Sequence, residues 1–501
     1  MSLASAFNII NGSFSAIAAQ SATISNNVAN ANTAGYSRQV ANVSTDPFGG
    51  VTVYSVTREA DDALSAQLNT ANSDSAAQNA ISSGLTTLAQ TISDSASATT
   101  STGSQQNGDS PSAMLGNFVS AMTTYEADPN NPAAAQAAVA AAGDVASSLN
   151  AGAKAVTQVR TQADQQIGQA VTQVNSLLGQ FQTVNDSIIS GLANGSNVGS
   201  LEDKRDSLVT QIAQQIGVGT STSSNGSMSI YTDSGAMLFQ NTAATLTFTP
   251  SGQLGPNATG NQVYVNGTPI TGSGSGSSIQ SGAIAGLTQL RDTIAPQYQS
   301  QLDQIAGNLI SAFQETDQST TNTGLPPQAG LFTNATSESV PSSGNFTGLA
   351  SSIAINANVD PTQGGNATLL RDGGISDTTD TNYTYNTSGD AGYTGRLQQL
   401  VSALQTPTSF AASAGLGASS SISAFAQNSV SWLQGANSQA STNATYQSSL
   451  QSQASSALSN ATGVNLDTEL TNMLTIESSY TASAKLLTTA NSMLDAIINA
   501  V

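Results

Sequence analysis

Chemistry in this sequence has to be built from carboxylates, amides and hydroxyls. Its 501 residues include no histidine and no cysteine, which removes imidazole bases, thiolate nucleophiles and disulfides. Two adjacent acid pairs, Asp61-Asp62 and Glu202-Asp203, are the raw material of a two-carboxylate glycosidase. A simpler reading covers the second pair. LEDKRDSL (201–208) places Glu202, Asp203, Lys204, Arg205 and Asp206 at helix-neighbour spacing, as on a solvated, salt-bridged face. DTTDTN (377–382) lacks the spacing and the glycine of a calcium loop, and GSGSGSS (272–278) lacks the lysine and the following helix of a phosphate loop. No catalytic residue, metal site or cofactor is expected, and GSGSGSS reads as a flexible connection.

One stretch carries a clearer pattern. NNVANANTAGYSRQ, residues 26–39, holds Asn26, Asn27, Asn30 and Asn32 at the end of a patterned helix, ahead of Arg38, the first charged side chain of the chain. An amide both donates and accepts, so it can satisfy a neighbour without a counter-charge. A carboxylate at these positions would repeat in every packed copy with only Arg38 nearby. The four asparagines are therefore expected to be neutral contacts between copies, with Gly35 as the left-handed stop of the helix and Tyr36 as the anchor of its exit.

That helix has a strong period. Leu3, Phe7, Ile10, Phe14, Ile17, Ile24, Val28 and Ala31 are spaced 4, 3, 4, 3, 7, 4 and 3 apart, a coiled-coil seam. The C-terminal end mirrors it with Leu466, Leu470, Met473, Tyr480, Ala484, Leu487, Leu494, Ile498 and Val501, with Glu477 and Asn491 in the polar slots. A second stripe there holds Leu474, Ile476, Leu486, Met493 and Ile497, and Asn465 or Asp467 can cap the start. The two seams are expected to pair with each other. A helix with two apolar stripes needs a further neighbour, and the first helix has no charged side chain on its outer face. Both features predict packing between chains.

Composition limits the partners. Net charge is −20, and only 8% of residues are charged, which makes nucleic acid and anionic lipid poor partners. No Lys or Arg precedes Arg38, so no cleavable signal peptide is expected. No apolar run approaches the ~18 residues of a membrane span, and no membrane insertion is expected.

The fold class expected is α+β, mainly α: terminal helices paired as a coiled coil, an elongated helical-bundle body, and β-rich inserted modules in the middle. Helices are predicted at 60–98, 133–193, 201–217, 284–317, 395–405 and about 422–459. Alternation of β-branched, aromatic and polar residues marks a β module, and Gly-, Asn- and Pro-rich sequence marks a second irregular insertion. The expected division is 1–40 with 463–501 as the terminal coiled-coil domain, 41–219 with 282–319 and 395–462 as the helical body, and 220–281 and 320–394 as insertions.

Both ends resemble known motifs. NNVANANTAGYSRQ resembles the N-terminal motif of the bacterial flagellar axial proteins, and GVNLDTELTNMLTIESSYTASAKLLTTANSMLDAIINAV (463–501) resembles their C-terminal motif. LEDKRDSLVTQIAQQIGV (201–218) and LTQLRDTIAPQYQSQLDQIAGNLISAF (287–313) are similar to the hook-associated protein 1 family, the first hook–filament junction proteins. Ala34 stands where the family usually has Pro, and Ile476-Glu477-Ser478-Ser479-Tyr480 replaces Phe-Gln-x-Ala-Tyr. The resemblance implies a structural subunit, exported unfolded through the flagellar type III apparatus and assembled between hook and filament through its terminal helices. The partners it implies are copies of itself, the hook protein, the second hook-associated protein, and a cytoplasmic chaperone at the C-terminal region. A hook or distal rod subunit and a secreted surface adhesin are the alternatives.

Overall fold

The computed structural model describes residues 3–45, 50–92, 110–272, 274–319, 324–335, 339–342 and 344–499. The end of the helix predicted over 60–98, Val501 of the C-terminal seam and Ser273 of GSGSGSS lie outside these residues. In chain order the terminal region and body begin with α1 (Leu3–Asn30), β1 (Gln39–Thr45), β2 (Val51–Arg58), α2 (Asp62–Ala89), α3 (Pro111–Ala127), α4 (Pro132–Ala193) and α5 (Gly199–Gln215). The β module follows as two three-stranded antiparallel sheets. One contains β3 (Val218–Thr222), β4 (Met228–Thr232) and β5 (Met237–Phe239). The other contains β6 (Leu246–Thr247), β7 (Tyr264–Val265) and β8 (Thr268–Pro269). Helices α6 (Ala283–Gln289) and α7 (Ala295–Ala312) are joined by a π turn at Leu290–Ile294. The irregular segment contains β9 (Phe332–Asn334), β10 (Ile353–Ile355) and α8 (Leu369–Asp372). The chain closes with α9 (Gly395–Gln405), the short pair β11 (Thr408–Ser409) and β12 (Ser419–Ser420), α10 (Ile422–Thr462) and α11 (Leu466–Asn499). The mainly helical class, the paired terminal helices and the small central sheets agree with the sequence reading.

The body is organised on α4. Its 62 residues make a helix roughly 93 Å long, started by Asn131, whose side chain accepts from the Ala133 and Ala134 amides, and by Pro132 in the first turn. One flank buries Val145, Leu149, Val156, Ile167, Val174, Leu178, Phe181 and Ile188 against α3, α5, α6 and α7. This continuous 3/4 pattern is why the stretch forms one uninterrupted helix. The β module packs along the C-terminal half of α4 as well. Phe239 meets Phe181 with ring centroids 4.9 Å apart, and the Asn175 amide bonds both the N–H and the carbonyl of Leu246. The irregular segment sits at the N-terminal end of α4, where Phe118, Phe313 and Phe332 form an aromatic cluster.

Buried arginines tie these layers together. In the π turn, the Arg291 carbonyl accepts from Arg160 Nε of α4 at 3.0 Å. Arg160 also donates to the carbonyls of Gly255 and Ala258 in the β module. The Arg291 side chain pairs with Asp164 at 2.6 Å and donates to the Asn261 carbonyl. Asp164 in turn accepts from the Ser251 amide. GSGSGSS, read as a flexible connection, is tied back by Ser275 Oγ to the Pro269 carbonyl and by Ser278 Oγ to the Gly272 carbonyl.

The sequence reading does not include the β1–β2 hairpin, α3, α8 or the short β11–β12 pair. The β1–β2 hairpin pairs Gln39 with Arg58 through Thr45 with Val51, within a stretch assigned to the terminal domain and the helical body. Its signal is legible in VTVYSVT, which is rich in β-branched residues; QVANVST has Val40 and Val43 three apart, and the strand is bulged between Asn42 and Val43. Helix α3 follows a Ser110 N-cap that accepts from the Ala113 amide, and it begins at Pro111, a start signal also legible in the sequence.

Candidate assembly surface

Helices α1 and α11 pack side by side, with Phe14 and Tyr480 in edge contact at 5.3 Å. The face that α11 turns to α1 differs from the expected seam. Its buried residues are Glu469, Ser483 and Ala490, with Asn472, Ile476 and Leu487 half-buried between them. Of the predicted seam, Leu466, Leu470, Met473, Leu494 and Ile498 are exposed instead, whereas Ala484 and Leu487 are half-buried and Tyr480 touches Phe14 while about half of it stays open. At the start of α11 the inward side is taken by Glu469, buried on Asn27 and Arg38, so Leu466 and Leu470, at other angles of the helix, face outward. The hairpin lies on α1 as well, so closely that a Cβ at Gly12 would stand 3.1 Å from the Val51 carbonyl oxygen. On α1, Ile10 and Ile24 are buried, Leu3, Phe7, Phe14 and Ile17 are half-buried, and Val28 is exposed. The second stripe of α11 is also open, with Leu474 65%, Leu486 61% and Met493 56% exposed.

The asparagines divide into two kinds. Asn26 and Asn32 are exposed and Asn30 is half-buried, its Nδ2 donating to the Asn26 carbonyl within its own helix. Asn27 is fully buried and spends its whole hydrogen-bonding capacity inside the chain. Its Nδ2 donates to the Gln39 carbonyl at 2.8 Å and to Glu469 Oε2 at 3.2 Å. Its Oδ1 accepts from the Gln39 amide and from the Tyr36 hydroxyl, each at 2.9 Å. The expectation of a contact with a neighbouring copy is therefore corrected for Asn27: the amide joins α1, β1 and the first turn of α11. Gly35 has φ +79°, the left-handed stop that was expected, and Tyr36 anchors the exit through Asn27.

Glu469, fully buried, completes this elbow by accepting from Arg38 Nε at 2.6 Å. Burial pulls the Arg38 guanidinium down, but its hydrogen bond to Glu469 and the charges of Glu469 and Glu59 outweigh that and hold its pKa above the usual value. Burial, with the charges of Asp203 and Glu469, raises the Tyr36 phenol. The Arg38 backbone amide donates to the Thr462 carbonyl at the end of α10. Asn465 caps α11 by accepting from the Asp467 and Thr468 amides.

The acids of LEDKRDSL serve the same region. They form no solvated face of their own. Glu202, Asp203 and Asp206 converge on Arg58 of β2, at 3.1, 3.1 and 2.6 Å. Arg205 is buried and donates to the Gly226 carbonyl. Burial raises the Asp206 carboxyl, against the opposing pull of Arg58. Of the other acids, Asp61 caps α2, and Asp377 and Asp380 accept from Thr379 and Asn382 in short turns. Among the described residues no helix is long and apolar enough to cross a membrane.

Comparison with known proteins finds matches over the body and the C-terminal helix. The family model of the flagellar hook-associated protein FlgK helical domain covers residues 104–330. That of the flagellar basal body rod FlgEFG protein C-terminal covers 455–500. Flagellar hook-associated protein 1 of Escherichia coli (strain K12) is 28% identical over 321 residues, 61% of this chain and 56% of the relative. The Salmonella typhimurium protein of that name is 29% identical over the same shares. The chain thus matches somewhat more than half the length of these relatives. The solved structure of the flagellar hook junction protein FlgK from Burkholderia pseudomallei aligns with a TM-score of 0.40 at 22% identity, covering 54% of this chain and 46% of that one. In sequence, the chain resembles flagellar hook-associated protein 1 along its helical body and the flagellar rod proteins at its C-terminal helix.

Proposed function

We propose that this chain is a structural subunit of the bacterial flagellum, exported unfolded and assembled outside the cell as part of the junction between hook and filament. The observation that carries the reading is the exposed apolar flank of α11 beside an α1 that has no charged side chain. Such a surface is stable in water only while small, and it gains from burial against further helices of the same kind. The partners are copies of itself, the hook protein and the second hook-associated protein, with a cytoplasmic chaperone covering the C-terminal region before export. The division into a terminal domain (1–40 with 463–501), a helical body, and the 220–281 and 320–394 segments is proposed as a division of labour: inner contact, spacing, and outer surface. The chain performs no catalysis in this reading, which is supported by the structural employment of Asp61, Glu202 and Asp203.

Deleting the chain and locating a tagged copy tests this. Cells without it should build hooks that carry no filament, and the tagged copy should decorate the hook tip. Normal filaments in the deletion strain refute the proposal.

A further inference from the structure

The exposed flank of α11 has an acid in its middle. Glu477 lies among Met473, Leu474 and Tyr480, which are 44%, 65% and 54% exposed, and it is itself exposed. Lys485 is also exposed, two turns onward and roughly 12 Å along the axis, rotated by about 80°. At that spacing the two side chains do not face each other within one helix. Among the described residues the ion pairs use arginine, and neither Glu477 nor Lys485 takes part in one.

We propose that Glu477 of one copy pairs with Lys485 of the next when the α11 flanks pack together. The inference rests on the assembly reading above and specifies its register. Covering Met473, Leu474 and Tyr480 with a neighbour takes the carboxylate between them out of water, and a desolvated carboxylate needs a counter-ion. Helix α1 has no charged side chain to offer. Arg38 is engaged by Glu469 and Glu59. Lys485 is the basic group of α11 that remains. The other acids of the helix have different settings. Asp467 lies in the first turn, where the helix dipole favours it, and Glu469 is buried on Arg38. Asp495 is exposed one turn before the end of the described helix; it is the competing acid, and reversal of Glu477 alone tells the two apart. A pair formed head to tail leaves one acid and one base free at the ends of a row, so it can be propagated from copy to copy. It also penalises registers that bring like charges together.

The test uses the full chain in cells lacking their own copy. Variants Glu477→Lys, Lys485→Glu and the double exchange are scored by the amount of chain on isolated hook–filament structures. Melting of each purified protein confirms that the monomer is untouched. Each single reversal should lower occupancy about fivefold or more, and the double exchange should restore it to within about twofold. Zero-length carbodiimide coupling of isolated structures should join Glu477 to Lys485 between chains; the three lysines of the sequence keep other products few. Single reversals that assemble fully, or a double exchange as poor as the worse single, overturn the pair. Leu470→Asp is the separate arm. If it assembles normally, the reading of α11 as an assembly surface falls. If it fails while both reversals assemble, only the pair is refuted.

Discussion

Replacing Asn27 by Asp tests the elbow with a change of one atom type. The Asn27 Nδ2 donates to the Gln39 carbonyl and to Glu469 Oε2, 3.2 Å away, in a site with no solvent exposure at either residue. An aspartate puts an acceptor where two acceptors already stand, and a second negative charge against Glu469. Two carboxylates that close do not both ionise, so one must hold a proton. Holding a proton on a group that ordinarily titrates near 4 costs about 4 kcal/mol at pH 7 and about 1.4 kcal/mol at pH 5. These are ceilings, since the elbow can open instead. The sign follows directly: the folded-state pKa is raised, so stability is kept in acid and lost as pH rises. Amide exchange of Gln39, which donates to Asn27 Oδ1, and of Arg38, which donates to the Thr462 carbonyl, reads the opening. Relative to the parent chain, exchange should accelerate up to roughly 10³-fold at pH 7 and about tenfold at pH 5. A ratio that is the same at both pH values, or close to one at pH 7, refutes the account. Asn30→Asp is the control: its donor serves only the Asn26 carbonyl, and the change should stay within about 0.5 kcal/mol.

Arg58→Met should destabilise the body by about 2–4 kcal/mol at pH 7 by thermal melting, because Glu202, Asp203 and Asp206 lose their common partner; the loss should shrink in acid. Asp303 is buried, accepts from the Gly348 and Ala350 amides, and is raised by that burial. It binds protons more tightly folded than unfolded, so its contribution falls as pH rises from its ordinary value through its raised one. The stability of the parent chain minus that of Asp303→Asn should show this fall, and a rise over the same range refutes it. Gly286→Ala places a Cβ 2.3 Å from the Ala77 carbonyl oxygen of α2, and the forced separation of α6 from α2 should lower stability by about 1–3 kcal/mol in denaturant titration.

Helix existence was legible wherever a 3/4 apolar period ran long enough. The 133–193 pattern became α4 almost residue for residue, and Asn465 and Gly35 performed the capping and stopping roles their types suggest. The choice of face was not legible. Helix α11 carries two apolar stripes, and the side it turns to α1 takes Ile476 from one and Leu487 and Tyr480 from the other, with Glu469 held by Asn27 and Arg38 at its start. Polar partners were equally hidden. Glu202 and Asp203 look like helix-surface acids until the hairpin brings Arg58 to them, 144 and 145 residues away in sequence. Asn27 has the same residue type as Asn26 and Asn32, and only the tertiary position of Glu469 and Gln39 separates a buried hub from two exposed amides.

Helix α4 also has a mechanical meaning. Its N-terminal end carries the irregular segment, with Arg371 donating to the Pro129 carbonyl. Its C-terminal end leads through Asn197, which donates to Gln39, to the elbow. One path for a force entering through the terminal helices runs through the elbow to a strut whose hydrogen bonds lie in series along its axis. The β module and α6 are fastened to the strut's side by Asn175, Arg160 and Asp164, where the same load acts as shear. Along this path the strut is the stiff member and the elbow the compliant one, held by side-chain contacts around Asn27, Arg38 and Glu469. Bending of the molecule under torque should concentrate at those residues and leave the spacing between the two ends of α4 unchanged.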